Sequence, residues 1–201
     1  MHHPEIYLVR HGETEWNRSG HYQGQLDARL TEKGEGQASA VGRRLLEIFA
    51  DRTPLPFQCS PLGRCRQTAG LICDAAGIDP ASIVHDDRLM ELHCGHWQTW
   101  TRAEVAERWP EEAEAYKADV WNYIIPGGGE NGPMLWDRAA DWLSDQSPAT
   151  PILVVSHGMI GRFIRAQSCG LDADALLALP VPQGVIFHLK DGRETLIDGV
   201  F

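Results

Sequence analysis

A three-layer α/β/α sandwich around a mostly parallel central sheet is the fold that this sequence predicts. Two short apolar runs, residues 6–9 and 152–155, have the length of buried parallel strands. Long stretches with helical periodicity separate the strand candidates, and such alternation covers both faces of a parallel sheet. The two runs also end alike, in Arg10-His11-Gly12 and Ser156-His157-Gly158. Carboxyl ends of strands are where open α/β sheets hold ligands.

The remaining elements follow in order. Residues 26–30 read as a loop, and Thr31 caps a helix running to about Ala50. Its apolar face is Ala38, Val41, Leu45, Ile48 and Phe49, with Arg43, Arg44 and Glu47 mainly outside. Residues 57–60 form a second strand; Pro61 opens a helix to Ala76, stopped by Gly77. Residues 82–85 read as a short strand. Thr101-x-x-Glu104 has the form of a capping box and starts a further helical stretch. Pro126-Gly127-Gly128-Gly129 breaks the chain before a helix carrying Leu135, Ala139, Trp142 and Leu143. After the 152–155 strand come a helix over 159–167 and a strand over 185–189. An Asp191-Gly192 turn then leads to a last short strand around Leu196 and Ile197. One domain is expected over 1–201, with a small cap contributed by roughly 95–135.

Composition narrows the partners. With 43% apolar and 23% charged residues the chain is ordinary folded protein. A formal net charge of -10 argues against nucleic acid and anionic membranes as partners, but not against a small anion sensed by a few arginines. The five cysteines, at 59, 65, 73, 94 and 169, are odd in number and form no Cys-x-x-Cys pair. They read as free thiols of a reducing compartment. No apolar export segment is evident and no run approaches ~18 apolar residues, so a cytoplasmic location is expected.

One histidine at a strand end is ordinarily a hydrogen-bonded loop residue; two at matching strand ends suggest imidazoles meeting across adjacent strands. Zinc is the competing reading. There is no His-Glu-x-x-His, and His2, His3, His21, His93 and His96 form no clear ligand set, so no metal or other cofactor is expected.

The run Leu8-Val9-Arg10-His11-Gly12-Glu13-Thr14-Glu15-Trp16-Asn17 resembles the signature of the histidine phosphatase superfamily, in its phosphoglycerate-mutase-like branch. Further matches occur in order. They are Gln23-Gly24-Gln25-Leu26-Asp27 through Gly34, Ser60-Pro61-Leu62-Gly63-Arg64 through Ala69, Arg88-Leu89-Met90-Glu91, and Ser156-His157-Gly158. The resemblance implies a phosphoglycerate-mutase-like sandwich in which His11 is the nucleophile and forms a phosphohistidine. Attack needs a neutral imidazole with one nitrogen held as a donor and the other free.

By the same resemblance Arg10 and Arg64 face the phosphoryl oxygens, which the guanidinium fork suits. His157 is the second pocket histidine and binds the phosphate together with Gly158, and in protonated form it stabilises charge on the equatorial oxygens. Asn17 bonds the phosphate, and Gln23 and Gly24 line the pocket. Glu91 is the proton donor to the leaving alkoxide. Glu13 orients the loop, and Arg66, two residues from Arg64 on a helix, falls on another face.

The resemblance leaves a phosphomonoester hydrolase, a phosphoglycerate mutase or a non-catalytic phosphate-binding regulator open. The stretch after Glu91 is short and carries Glu104, Glu107, Glu111, Glu112 and Glu114, which favours the hydrolase. A small phosphorylated metabolite is the expected partner of a monomer or homodimer. Two segments depart from the family pattern. Gly95-His96-Trp97-Gln98-Thr99 replaces Gly-x-Trp-Glu-Gly, and Gly129-Glu130-Asn131 replaces Gly-Glu-Ser. Trp97, Trp100, Trp109, Trp121, Tyr123 and Trp136 either pack the cap or line a substrate pocket.

Overall fold

The computed structural model describes residues 3–49 and 55–199. Its sheet has six strands: β1 (Ile6–Arg10), β2 (Phe57–Cys59), β3 (Ile83–His85), β4 (Ile152–Ser156), β5 (Val185–Lys190) and β6 (Arg193–Asp198). The spatial order is β3-β2-β4-β1-β5-β6. The first four of that order run parallel, and β5 and β6 are added antiparallel at one edge. The helices are α1 (Glu15–Ser19), α2 (Glu32–Phe49), α3 (Gly63–Ala76), α4 (Arg102–Arg108), α5 (Pro110–Ala118), α6 (Gly132–Ser144), α7 (Gly158–Cys169) and α8 (Ala173–Ala178). The expected end of α2 at Ala50 lies outside the described residues.

Alternation along the central strands builds two cores. Ile6 and Leu8 of β1, with Ile152 and Val154 of β4, face α6, α7 and α8 through Leu135, Trp142, Ile160, Phe163 and Leu176. Tyr7 and Val9, with Leu153 and Val155, face α2 and α3 through Val41, Leu45, Cys65, Ala69 and Ile72. Both faces of the sheet are therefore covered, as near-continuous apolar strands require.

The local signals act where expected. Thr31 Oγ1 accepts the Gly34 N–H at 3.0 Å and so starts α2. Gly77 ends α3 at φ +68°, and Thr101 and Glu104 form the reciprocal capping box of α4. Asp191 and Gly192, at φ +51° and +72°, turn β5 into β6. Three differences have physical causes. The α3 helix begins at Gly63 rather than Pro61, because the backbone of Leu62 is extended and serves as its boundary. The helical stretch from Thr101 breaks at Trp109, since the following Pro110 bars its neighbour from helical geometry. The short helices α1 and α8 span too few residues to show a periodicity.

Residues 94–125 carry an apolar cluster of their own: Cys94, Trp97, Val105, Ala113 and Ile125, ringed by Tyr22, Trp100, Trp109, Tyr116 and Tyr123. The tryptophans here mostly pack. Trp97 is fully buried with its indole N–H on Glu112 at 3.1 Å, and Trp121 stacks on Phe163 at 5.7 Å.

Thr99, one of the departures from the family pattern set out above, sits at φ +74°. A β-branched residue there costs on the order of 1–2 kcal/mol, only part of which is offset by the lower unfolded-state entropy relative to glycine. Thr99→Gly is expected to raise stability by about 1 kcal/mol in urea unfolding; a variant less stable than wild type would contradict the strain.

Candidate active site

Parallel pairing of β1 with β4 places Arg10 opposite Ser156, and the ladder continues as His11 N–H donates to the Ser156 carbonyl at 3.0 Å. His11 and His157 therefore leave adjacent strand ends, with ring centroids 5.2 Å apart and both side chains buried. On the far side of β4, Ser60 N–H donates to the Val155 carbonyl at 3.0 Å, which brings Ser60 beside His157. The strand order makes this the crevice where connections diverge, the usual ligand position.

His11 Nδ1 lies 2.8 Å from the Gly12 carbonyl, an acceptor only, so Nδ1 carries the proton and Nε2 the lone pair. Burial, and then the charges of Arg64 and Arg10, push His11 well below the ordinary histidine value of 6.5. Gly12 N–H donates to Thr68 Oγ1 at 3.0 Å and fixes the turn. Glu13 accepts from Thr31 and Lys33, so it ties the loop to the start of α2.

His157 is neutral as arranged. Arg64 Nε–H donates to its Nδ1 at 3.1 Å, which requires a lone pair there, and Nε2 then donates to Ser60 Oγ at 2.7 Å. Burial, followed by the charge of Arg64, holds its pKa well below 6.5. The protonated form expected for charge stabilisation is thus not the resting one. Cys65 Sγ lies 3.3 Å from the same Nε2, but burial raises its thiol well above the usual range and keeps it protonated.

Arg64 is 1% exposed and largely committed to the protein. Besides His157 it donates to the carbonyls of Leu26 and Gly24, each at 2.7 Å, and to Asp27 Oδ1 at 2.9 Å. Of five guanidinium hydrogens, one on Nη2 is left over. Gly24 accordingly serves the site through its carbonyl on Arg64, and Arg66 is exposed. Arg10 is the complement: Nη1 donates to the Val181 carbonyl at 2.5 Å, while its buried Nε has no partner among the described residues. A buried unsatisfied donor in a crevice is a place for an anion.

Glu91 reaches the start of α7. Its oxygens accept the Met159 N–H at 3.1 Å each, the Ile160 N–H at 3.2 Å and the Leu92 N–H at 3.0 Å. Three backbone amides thus fix the carboxyl group at the N-terminus of α7. A Cβ placed on Gly158 would sit 3.5 Å from Arg10 Nε and 3.7 Å from Glu91 Oε2, so this glycine faces both groups. The segment bearing Glu91 is clamped by Arg138, which donates to Met90 O at 2.5 Å and pairs with Glu130 at 2.9 Å. Gln23 Oε1 accepts from Thr14 Oγ1 at 3.0 Å.

Gln183 has no signature in the sequence, yet it organises the other side of the site. Thr14 N–H, a donor only, fixes Asn17 Oδ1 as an acceptor at 3.2 Å. Gln183 Nε2 then donates to that oxygen at 3.0 Å and to the His11 carbonyl at 3.2 Å. Both amide orientations are forced, and the Asn17 NH2 group is turned away from them. Asp27 and Ser60 likewise lay inside quoted motifs without a role. Among the described residues no group of His, Cys, Asp and Glu is spaced to hold a metal, and no helix is long and apolar enough to cross a membrane.

Two outcomes follow. Histidines held neutral in the fold bind protons first when unfolded, so stability is full above pH 6.5 and declines as pH falls below it. The expected slope is about 1.4 kcal/mol per pH unit for each of His11 and His157. Urea unfolding between pH 7.5 and 5.5 should show the decline, flattened in His157→Gln; an unchanged slope in the variant would contradict it. Gln183→Glu turns a double donor into an acceptor facing two oxygens and should cost about 2 kcal/mol, more than Gln183→Met.

The histidine phosphatase superfamily (branch 1) family model matches residues 6–196. A metal-independent phosphoserine phosphatase from Arabidopsis thaliana is 37% identical over 193 residues, covering 94% of this chain and 78% of that protein. A phosphoglycerate mutase-like protein 4 from the same plant is 33% identical over 198 residues, covering 96% and 83%. Among solved structures, the α-ribazole phosphatase of Shigella flexneri superposes with a TM-score of 0.80 at 25% identity, over 98% of this chain and 96% of that one. With a family match spanning nearly its whole length, this chain belongs to the histidine phosphatase superfamily, branch 1.

Proposed function

We propose that this protein hydrolyses phosphomonoesters of small metabolites through a phosphohistidine formed on His11. The observation that carries the reading is the His11 ring, whose Nδ1 is held on the Gly12 carbonyl while Nε2 keeps its lone pair, with the charge of Arg10, whose Nε–H is unpaired among the described residues, in range. Nε2 attacks phosphorus and the P–O ester bond breaks. Glu91 gives a proton to the departing alkoxide and later takes one from water, which attacks phosphorus and breaks the P–N bond, releasing orthophosphate. Arg10 Nε–H, the remaining Arg64 Nη2 hydrogen and the outward amide of Asn17 supply donors for the phosphoryl oxygens. Gln23 borders them. The arriving negative charge offsets the repulsion that adds to burial in keeping His157 neutral, and so favours its protonation at that stage. The chemistry runs on these side chains without a metal ion.

Residues 95–135 act as a small cap over the leaving group, within a single domain. The plant phosphoserine phosphatase resemblance favours hydrolysis, and the mutase-like relative supports transfer to a second hydroxyl as the alternative.

His11→Ala is expected to lose at least about a thousandfold in kcat/KM. Mixing with ester and quenching without acid should add one phosphoryl group to the wild-type mass and none to the variant; retained turnover in His11→Ala would overturn the covalent route. From either phosphoglycerate, free phosphate is expected as the main product, whereas rapid isomerisation with little phosphate would make the enzyme a mutase.

A further inference from the structure

The arginines withdrawn from solvent divide into two groups. Among the described residues, Arg44, Arg64, Arg88, Arg138 and Arg165 each have a carboxylate oxygen close by, at 2.6, 2.9, 2.7, 2.9 and 2.6 Å. Among the described residues, Arg10 and Arg162 are the part-buried arginines with no carboxylate oxygen within 4.0 Å. A guanidinium removed from water without a counter-charge is costly, and the chain, with 28 acidic residues, has no shortage of carboxylates to offer. Arg10 faces the phosphoryl site. Arg162 has no role there.

The surroundings of Arg162 say what it faces. It stands on α7 one turn beyond Gly158, the turn whose amides hold Glu91. Its Nε–H donates to the Leu179 carbonyl at 2.8 Å, and Nη1 reaches only the weakly accepting Met159 sulfur at 3.5 Å. Met159 in turn donates its N–H to both Glu91 oxygens. Arg10 rests on the Val181 carbonyl of the same loop, so the two arginines share one support, and Glu91 lies within range of both charges. Burial and the neighbouring charge of Arg165 disfavour its positive charge, while Glu91 favours it; Tyr116, of the 95–135 segment, lies within range of its field. Arg165 itself is satisfied by two hydrogen bonds to Glu194 at 2.6 and 2.7 Å, which isolates the neighbour further.

We propose that Arg162 binds a second anionic group on the substrate, so that the preferred esters carry a carboxylate or another phosphate close to the phosphoryl group being removed. The inference rests on the hydrolase reading, in which Glu91 protonates the ester oxygen. That oxygen separates phosphorus, on the His11 side, from the leaving group, and Arg162, in range of Glu91 and of Tyr116 in the 95–135 segment, is assigned to the leaving-group side. Its uncommitted Nη hydrogens form a planar fork, the geometry that carboxylates and phosphates take bidentately. A small polar leaving group with one negative charge satisfies the site, and a neutral one leaves the guanidinium as it stands.

The test compares ester pairs that differ in the second charge: 3-phosphoglycerate with glycerol 3-phosphate, phosphoserine with phosphoethanolamine, and fructose 1,6-bisphosphate with fructose 6-phosphate. In wild type the charged member of at least one pair is expected to have the higher kcat/KM by about tenfold or more. The first two pairs identify a carboxylate and the third a second phosphate. Arg162→Gln should bring that ratio to within threefold of unity, and Arg162→Lys should keep part of it. Both substrates are read on one preparation, so partial misfolding cancels from the ratio. Ratios near unity in wild type, or a ratio that survives in Arg162→Gln, overturn the proposal, as does an equal loss on both members of each pair. Absence of phosphate release from every ester defeats the hydrolase reading instead; the same ratios taken as dissociation constants by calorimetry then decide the subsite.

Discussion

The parallel pairing of β1 with β4 is the constraint on which the rest of the site depends. Their register sets Arg10 against Ser156 and so brings two histidines out at the same level, with rings 5.2 Å apart. A slip of one residue would move every β1 side chain to the other face of the sheet and take His11 away from His157. That register is held by apolar residues on both faces, Ile6 and Leu8 toward α7, Tyr7 and Val9 toward α2 and α3. The polar crevice is therefore positioned by packing well below it.

Around that crevice, charge is arranged in two tiers. Arg64 and Arg138 are spent on structure: one ties residues 24–27 to His157, the other ties Glu130 to the chain bearing Glu91. Arg10 retains an unmatched donor. The local positive field coexists with a strongly acidic protein because Arg10 and Arg162 are received by backbone carbonyls rather than carboxylates. Hydrogen-bonding to carbonyls fixes a guanidinium in place without cancelling its charge.

The parts of this architecture with local causes were legible from the sequence. Apolar strand runs, the Thr101–Glu104 capping box, Gly77 and the Asp191-Gly192 turn each act within a few residues, and each holds in the fold. The family motifs marked His11, Arg64, Glu91 and His157, and the fold brings those residues to one end of the sheet. Gln183 was not legible. Its partners are His11 and Asn17, far away in the chain, and antiparallel addition of β5 is what brings them together. The neutral state of His157 was equally hidden, because it follows from which nitrogen Arg64 occupies. Glu91's attachment to the α7 amides depends on a tertiary contact that no local pattern announces.

The loop that presents His11 is seated on α2 by bare backbone. A Cβ at Gly12 would come 2.3 Å from the Gly34 carbonyl oxygen, and one at Gly34 would come 2.1 Å from that of Glu13. In each case the obstacle is main chain, which no substitution elsewhere can trim. The two positions therefore differ from an ordinary packed pair, in which shrinking one residue makes room for enlarging the other. Genetically, a lesion at either glycine has no second-site suppressor across the contact. The approach of nucleophile loop to helix is a fixed dimension of the fold, closed to gradual adjustment, and divergence in substrate choice must proceed through the other walls.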